Sequence, residues 1–207
     1  IGNLAALAQR DVKRLLAYSS VSNAGFALMA IAANSELGGE ALLYFLVPYS
    51  AATVGAFAVV AARERELERP VSLGALEGFG WERPFLGVAM WVFMLGFAGF
   101  PLTGGFLGKF YVFSAIYEAG WWWLVVIGVI ATAVSIAYYL SIVRAMYMKP
   151  SRVTGSVVVA GGSPPEDRAL DLAVGAAVAV TVGSFFFVQP LVDLARDAAG
   201  SLTYLGF

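Results

Sequence analysis

The sequence predicts an all-α membrane protein, a polytopic helix bundle in which one transmembrane helix is discontinuous. Three observations carry that reading. The chain of 207 residues is 60% hydrophobic and 13% charged, whereas a soluble domain has roughly 45–50% apolar and about 25% charged residues. Uncharged runs long enough to cross a bilayer, about 20 residues, recur between short charged segments. One run is too long for a single upright helix and carries Pro and Gly in its middle.

The charge-free runs define the elements in order. Ile1 to Ala8 reads as the tail of a hydrophobic helix, and the chain therefore reads as part of a longer one. It has no basic leader or cleavage site of a signal peptide. Leu15 to Ser35 and Ala41 to Ala62 predict the first two full spans. Pro84 to Tyr117 is interrupted only by Lys109. As one helix it would be roughly 50 Å long, against a hydrocarbon core of about 30 Å. A break near 99–105 resolves the excess, because proline removes a backbone donor and glycine weakens a helix. Non-helical backbone at membrane depth is tolerated where protein or a cavity surrounds it. A fourth span covers about 119–147 and a last one 172–192. Residues 1–150 thus form one helical unit, 151–171 a loop, and 193–207 a tail.

The loops alternate in charge. Of 13 Lys and Arg residues, all except Lys109 and Arg196 fall in the segments 10–14, 63–83 and 144–168. The intervening loops hold Glu36 and Glu40, then Glu118. By the positive-inside rule the basic loops are cytoplasmic and the C-terminus faces outward. Trp121-Trp122-Trp123 sits beside Glu118, where an interfacial aromatic belt is expected. Arg63 to Arg69 is a mixed-charge run that reads as a solvated helix end. Val71 to Gly80 predicts a short interfacial helix capped by Ser72. Val153 to Ala160 is Val-rich and precedes Gly161-Gly162-Ser163-Pro164-Pro165, so a short strand and turn are expected there.

Lys109 is the leading functional candidate. A cation at membrane depth costs about 2.5–3.5 kcal/mol even on the lenient insertion scale, so such residues face protein or a water-filled path. A lysine, unlike an arginine, can also give up its proton when desolvated. The bland alternatives are a snorkelling side chain or a structural ion pair. Glu118 stands about 13 Å along the helix, beyond the reach of a lysine, so a carboxylate partner would come from elsewhere. Gly104 to Phe110 superficially resembles a phosphate loop, but that pattern needs Gly at 103 and Ser or Thr at 110. This chain has Thr103 and Phe110.

Other residues are weaker candidates. Lys13 stands at the mouth of the first full span, as an anchor or a participant in transport. Tyr18-Ser19-Ser20-Val21-Ser22-Asn23 follows it. Ser19 and Ser22 would hydrate a path or hydrogen-bond neighbouring helices, the commoner use of hydroxyls in membranes. Ser135, Tyr138 and Tyr139 share a helical face by their i, i+3, i+4 spacing, and Thr132 extends it. Tyr44, Tyr49, Ser50 and Thr53 surround Pro48 in the second span. The net charge of -1 gives no sign of nucleic-acid binding. With neither His nor Cys in the chain, haem ligation by His and thiolate metal clusters are excluded.

Three segments resemble one family. Gly2 to Gln9 with Asp11-Val12-Lys13-Arg14-Leu15-Leu16-Ala17-Tyr18-Ser19-Ser20-Val21-Ser22 is similar to the signature of antiporter-like membrane subunits. These occur in respiratory complex I and in multisubunit cation/proton antiporters. Ala98 to Tyr111 resembles that family's broken-helix motif, and Val134 to Leu140 with Arg144 resembles the helix after it. The aromatic second span with Gly55-Ala56-Phe57, and Lys109 where another branch typically has Glu, favour a complex I branch. Asn23 departs from the His of many relatives, and Pro48 is a further departure.

The resemblance implies two inverted five-helix repeats, of which this chain holds most of the second plus a final helix. It implies proton translocation by a membrane-arm subunit of NADH:quinone oxidoreductase, a subunit of an enzyme with no redox site of its own. Lys109 and Lys13 would carry proton transfer, with Ser135, Tyr138, Tyr139, Ser19, Ser22 and Thr103 lining the path. NADH, FMN, iron–sulfur clusters and quinone are expected in other subunits. The expected partners are other membrane-arm subunits, the lipid bilayer and protons, in a bacterial inner membrane. The rival readings are a subunit of a Na⁺(K⁺)/H⁺ antiporter and a purely structural bundle.

Overall fold

The computed structural model describes residues 1–149 and 167–203. The chain order is α1 (Gly2–Leu7), α2 (Val12–Ala32), α3 (Glu36–Leu67), a 3-10 turn (Leu73–Leu76), α4 (Phe79–Glu82), α5 (Pro84–Ala98), α6 (Gly104–Glu118), α7 (Trp122–Met148), α8 (Arg168–Phe186) and α9 (Val188–Thr203). Among the described residues, α2, α3, α7 and α8 are each long and apolar enough to cross a membrane. The half-helices α5 and α6 have 15 residues each. Each is about 22 Å long, short of the roughly 30 Å hydrocarbon core.

Helix starts follow side-chain caps. Asp11, Ser35, Ser72 and Asp167 accept from the amides of Arg14, Gly38, Ala75 and Leu170, satisfying donors that a helix start leaves unpaired. Pro84 at the first position of α5 has no amide hydrogen to lose. Two boundaries differ from the charge-run expectation. The second span extends beyond Ala62 to Leu67, because Arg, Glu and Leu are good helix formers and Arg63 pairs with Glu66 three residues on. Charge marks the membrane edge there, and the helix continues past it. The last hydrophobic run divides at Phe187 into α8 and an amphipathic α9, and Pro190 fits the first turn of α9, where amides have no intrahelical acceptor. The Val153–Ala160 segment lies outside the described residues.

Ion pairs sort by end. At one end Lys13 meets Glu64, Arg63 meets Glu66 and Glu82, Arg83 meets Glu66, Lys149 meets Glu77 and Arg65 meets Asp167. Backbone bonds from Val12 N to Val71 O (3.0 Å) and Leu73 N to Arg10 O (2.8 Å) tie the same loops together. Arg196 pairs with Glu40 away from this cluster. The segments 10–14 and 63–83, with Lys149 and Asp167, therefore gather on one face. The 3-10 turn capped by Ser72 lies within that face.

Two apolar clusters make the core. The larger joins α2, α3, α5 and α7 through residues such as Leu15, Val59, Phe93 and Ile142. The smaller joins α2, α3 and α6 through Phe26, Ala41, Phe45, Val112 and Ile116.

Candidate functional site

The break between α5 and α6 is built from local backbone chemistry. Gly99 has φ 72° and terminates α5. The amide of Gly99 bonds Gly96 O at 3.1 Å, and that of Phe100 bonds Leu95 O at 2.9 Å. This is a Schellman cap, which needs a left-handed residue. A Cβ on Gly99 would also come within 3.0 Å of Lys109 Cδ. Residues 100–103 then turn: Thr103 N bonds Phe100 O at 3.2 Å, and Leu102 takes φ 75°. Pro101 suits the second position of such a turn, while the third usually demands Gly. Leucine at positive φ costs about 1–2 kcal/mol. Helix resumes at Gly104, so the non-helical residues are 99–103, within the expected 99–105.

The two half-helices meet closely. A Cβ on Gly105 would lie 2.0 Å from Gly96 O. That approach brings the α6 side chains over the carbonyl end of α5. Lys109, only 5% exposed, donates from Nζ to Phe97 O at 2.7 Å. Phe97 O belongs to the last turn of α5, where carbonyls lack intrahelical donors. The negative end of the helix dipole lies there and favours a cation. Nζ also sits 4.8 Å from the centre of the Phe26 ring, a cation–π distance. Among the described residues no carboxylate pairs with Lys109.

A polar cluster lies one step further inside. Ser19 Oγ and Tyr139 Oη are hydrogen-bonded between α2 and α7. Asn23 donates from Nδ2 to Ser19 O at 3.1 Å and reaches Tyr139 Oη at 3.4 Å. Tyr139 stacks on Phe97 at 5.7 Å between ring centres. Phe26 is three residues beyond Asn23 on α2, so both flank the Lys109 region from one helix face. Tyr138 packs edge-on against Tyr139 at 4.5 Å between ring centres and donates to Asn3 Oδ1 at 2.9 Å, while Asn3 donates to Ala131 O.

The remaining candidates separate. Lys13 is at the charged end, half-exposed and paired with Glu64. Ser135 is buried, but its hydroxyl returns to Thr132 O at 2.6 Å. Ser22 is half-buried and joins none of the hydrogen bonds described above. Thr103 is buried with its hydroxyl on Phe100 O, within the turn.

Sequence reasoning misses several members. Phe97 acts through a backbone carbonyl, which no side-chain pattern marks. Asn23 reads as a departure from His, yet it organises Ser19 and Tyr139. Thr181 and Ser184 of α8 are buried against the break. Tyr44 Oη donates to Ser184 O at 2.6 Å, and a Cβ on Gly104 would lie 1.9 Å from Ser184 Oγ. Small polar residues in the last span were the available signal.

The fold and site define a membrane-embedded helix bundle organised around a discontinuous helix, with a buried lysine fixed at the break. Residues 1–135 match the NADH:quinone oxidoreductase/Mrp antiporter transmembrane family, and the chain belongs to it. Similar curated proteins are called NADH-quinone oxidoreductase subunit N, the branch that the aromatic second span and Lys109 single out. That of Roseiflexus castenholzii is 41% identical over 204 residues, covering 95% of this chain and 39% of the relative. That of Trichlorobacter lovleyi is 42% identical over 150 residues, covering 72% and 31%. The chain thus spans well under half the length of these relatives. Among solved structures, a chain of respiratory complex I from Thermus thermophilus with bound aureothin superposes with TM-score 0.75. It is 34% identical, over 93% of this chain and 42% of that one. A chain of the Mrp complex from Dietzia shares the fold, with TM-score 0.83 at 21% identity, over 97% and 44%.

Proposed function

We propose that this chain forms the second, lysine-bearing half of a proton-translocating membrane-arm subunit of NADH:quinone oxidoreductase. The observation that carries the reading is the Lys109 amine, buried at the break and held by Phe97 O without a carboxylate partner among the described residues. A buried amine without a counter-ion has access to both protonation states. A guanidinium does not. Relatives bearing the name subunit N support the complex, and the 34% identity to a complex I chain supports it further.

In this mechanism, redox chemistry in other subunits changes the electrostatics along the membrane arm. NADH, FMN, iron–sulfur clusters and quinone belong to those subunits. Lys109 takes up a proton while Phe97 O and the Phe26 ring favour its charged form. It releases the proton when that balance shifts. Ser19 and Tyr139 supply hydroxyls that donate and accept along one line, and Asn23 orients them. Tyr138 adjoins that line through its contact with Tyr139, while Ser22, Thr103 and Ser135 take no step in it. Lys13 works at the charged end, which faces the cytoplasm by the positive-inside rule, with the C-terminus outward. The membrane is the bacterial inner membrane, and the partners are other membrane-arm subunits.

The test uses the full-length subunit in its assembled complex, reconstituted in vesicles. Lys109→Met should leave assembly and NADH oxidation measurable and remove proton transfer along this path. Wild-type pumping by the assembled variant would refute the reading and leave Lys109 as a packing residue. Sodium-dependent proton exchange without NADH would instead favour an antiporter subunit.

A further inference from the structure

At the charged end, a cavity of about 350 Å³ opens between the start of α5 and the first turn of α8, lined by Glu82, Arg83, Pro84, Phe85, Leu86 and Asp171. That volume lies in the range of small-molecule sites, roughly 300–1,000 Å³. Its rim carries both signs of charge. Arg83 gives Nε to Glu66 at 2.9 Å, and its two terminal nitrogens have no hydrogen-bond partner among the described residues. Glu82 meets Arg63 at 2.9 Å. Asp171 is half-buried, and its carboxylate pairs with no cation among the described residues. The cavity sits where charged segments give way to apolar helix. Arg83 is the last charged residue before Lys109, and Asp171 the last before Asp193. Trp81, exposed and donating from Nε1 to Tyr147 O at 3.1 Å, marks the headgroup level, where indoles concentrate. Past the rim the walls are apolar. A Cβ on Gly175, one turn after Asp171, would lie 3.8 Å from the Phe85 ring, and Phe85, Val88 and Leu172 stay exposed.

We propose that this cavity binds a phospholipid with a zwitterionic, primary-ammonium headgroup, phosphatidylethanolamine. The lipid phosphate accepts from the terminal nitrogens of Arg83, whose planar fork suits it. The ammonium donates to Asp171, with the Glu82 carboxylate adding negative charge beside it. The acyl chains run over Phe85, Val88 and Leu172. A purely basic pocket at this depth would select anionic lipid, and the two carboxylates reverse that preference. Phosphatidylglycerol brings a phosphate but no cation for Asp171. Phosphatidylcholine brings a cation with no N–H to donate. The apolar walls favour a lipid over a soluble ester with the same headgroup. This binding site is independent of proton transfer by Lys109 and requires only that the helices lie in a membrane.

The test uses the full-length subunit in its assembled complex, held in nanodiscs of equal parts phosphatidylethanolamine, phosphatidylcholine and phosphatidylglycerol. In separate samples a trace of one of the three carries a photoactivatable acyl chain, and the labelled peptides are mapped by mass spectrometry. In the unsubstituted complex, phosphatidylethanolamine should label residues 81–88 and 171–176 several-fold more than either other lipid. Asp171→Asn should bring that labelling down to the level of phosphatidylcholine, and Asp171→Lys should make phosphatidylglycerol the preferred label. An excess of soluble glycerophosphoethanolamine should leave the labelling unchanged. Equal labelling by the three lipids in the unsubstituted complex, or none, would overturn the proposal, and this comparison decides the matter if the variants fail to assemble. An unchanged preference in either assembled variant would overturn it as well. Loss of labelling to the soluble ester would show that the site takes a soluble ligand and would equally refute a lipid site.

Discussion

Arg63 near the end of α3 is 3% exposed, and Lys109 in α6 is 5% exposed. Around Arg63 the protein assembles Glu66 at 3.1 Å, Glu82 at 2.9 Å, the Ala75 carbonyl at 3.1 Å and the Phe79 ring at 4.9 Å. Around Lys109 it offers one carbonyl and one ring. A cation surrounded by carboxylates is fixed in charge and in place. A cation held only by a helix end and an aromatic face has no second charge to fix it. The same burial therefore serves a structural clamp at the charged end and, on the function proposed above, a proton carrier at the break.

Substitution should expose this difference. The largest stability loss is expected for Arg63→Met, which removes the buried cation shared by Glu66 and Glu82 and leaves Arg83 paired with Glu66. Breaking a buried pair costs about 3–5 kcal/mol, and the partial exposure of Glu82 puts this case near the lower end. The thermal midpoint and assembly yield of the complex measure it, and proton uptake per assembled complex should stay near normal. A stable Arg63→Met protein that has lost pumping would reverse the comparison.

Tyr139→Phe comes next. It removes the hydroxyl shared by Ser19 and Asn23, and an unsatisfied buried polar group costs about 1–3 kcal/mol. Pumping should fall with NADH oxidation retained at low turnover. Unchanged pumping would remove this cluster from the path.

Lys13→Met breaks a half-exposed pair with Glu64, worth less than about 1 kcal/mol after screening. Stability should therefore barely change, and any loss of pumping reports function at the mouth. If Lys13 is only an anchor, pumping stays normal. The smallest effect belongs to Leu102→Gly. Relief of the positive φ should stabilise the turn by up to about 1 kcal/mol, offset by the chain entropy of glycine. A fall in thermal midpoint would show that the Leu102 side chain matters more than its backbone strain.

The features legible in the sequence are those that contrast with their surroundings. Lys109 and the Gly99–Gly105 segment stand out because charge, Pro and Gly are rare at membrane depth. The alternation of basic segments is legible for the same reason. What escapes reading depends on close approach. The acceptor of Lys109 is a peptide carbonyl, identical in sequence to every other. The cluster of Ser19, Asn23 and Tyr139 joins helices 116 and 120 residues apart. Charge-run counting also misplaces ends, as at Leu67 and Phe187, because charges report the membrane edge and caps report the helix.

The most direct measurement is NADH-driven proton uptake by vesicles holding the assembled Lys109→Arg complex. Arginine keeps the positive charge and can still donate to Phe97 O, but it does not deprotonate. If Lys109 carries the proton, the variant should assemble and pump poorly, close to Lys109→Met. Wild-type pumping by Lys109→Arg would show that a fixed charge suffices, and would contradict the account.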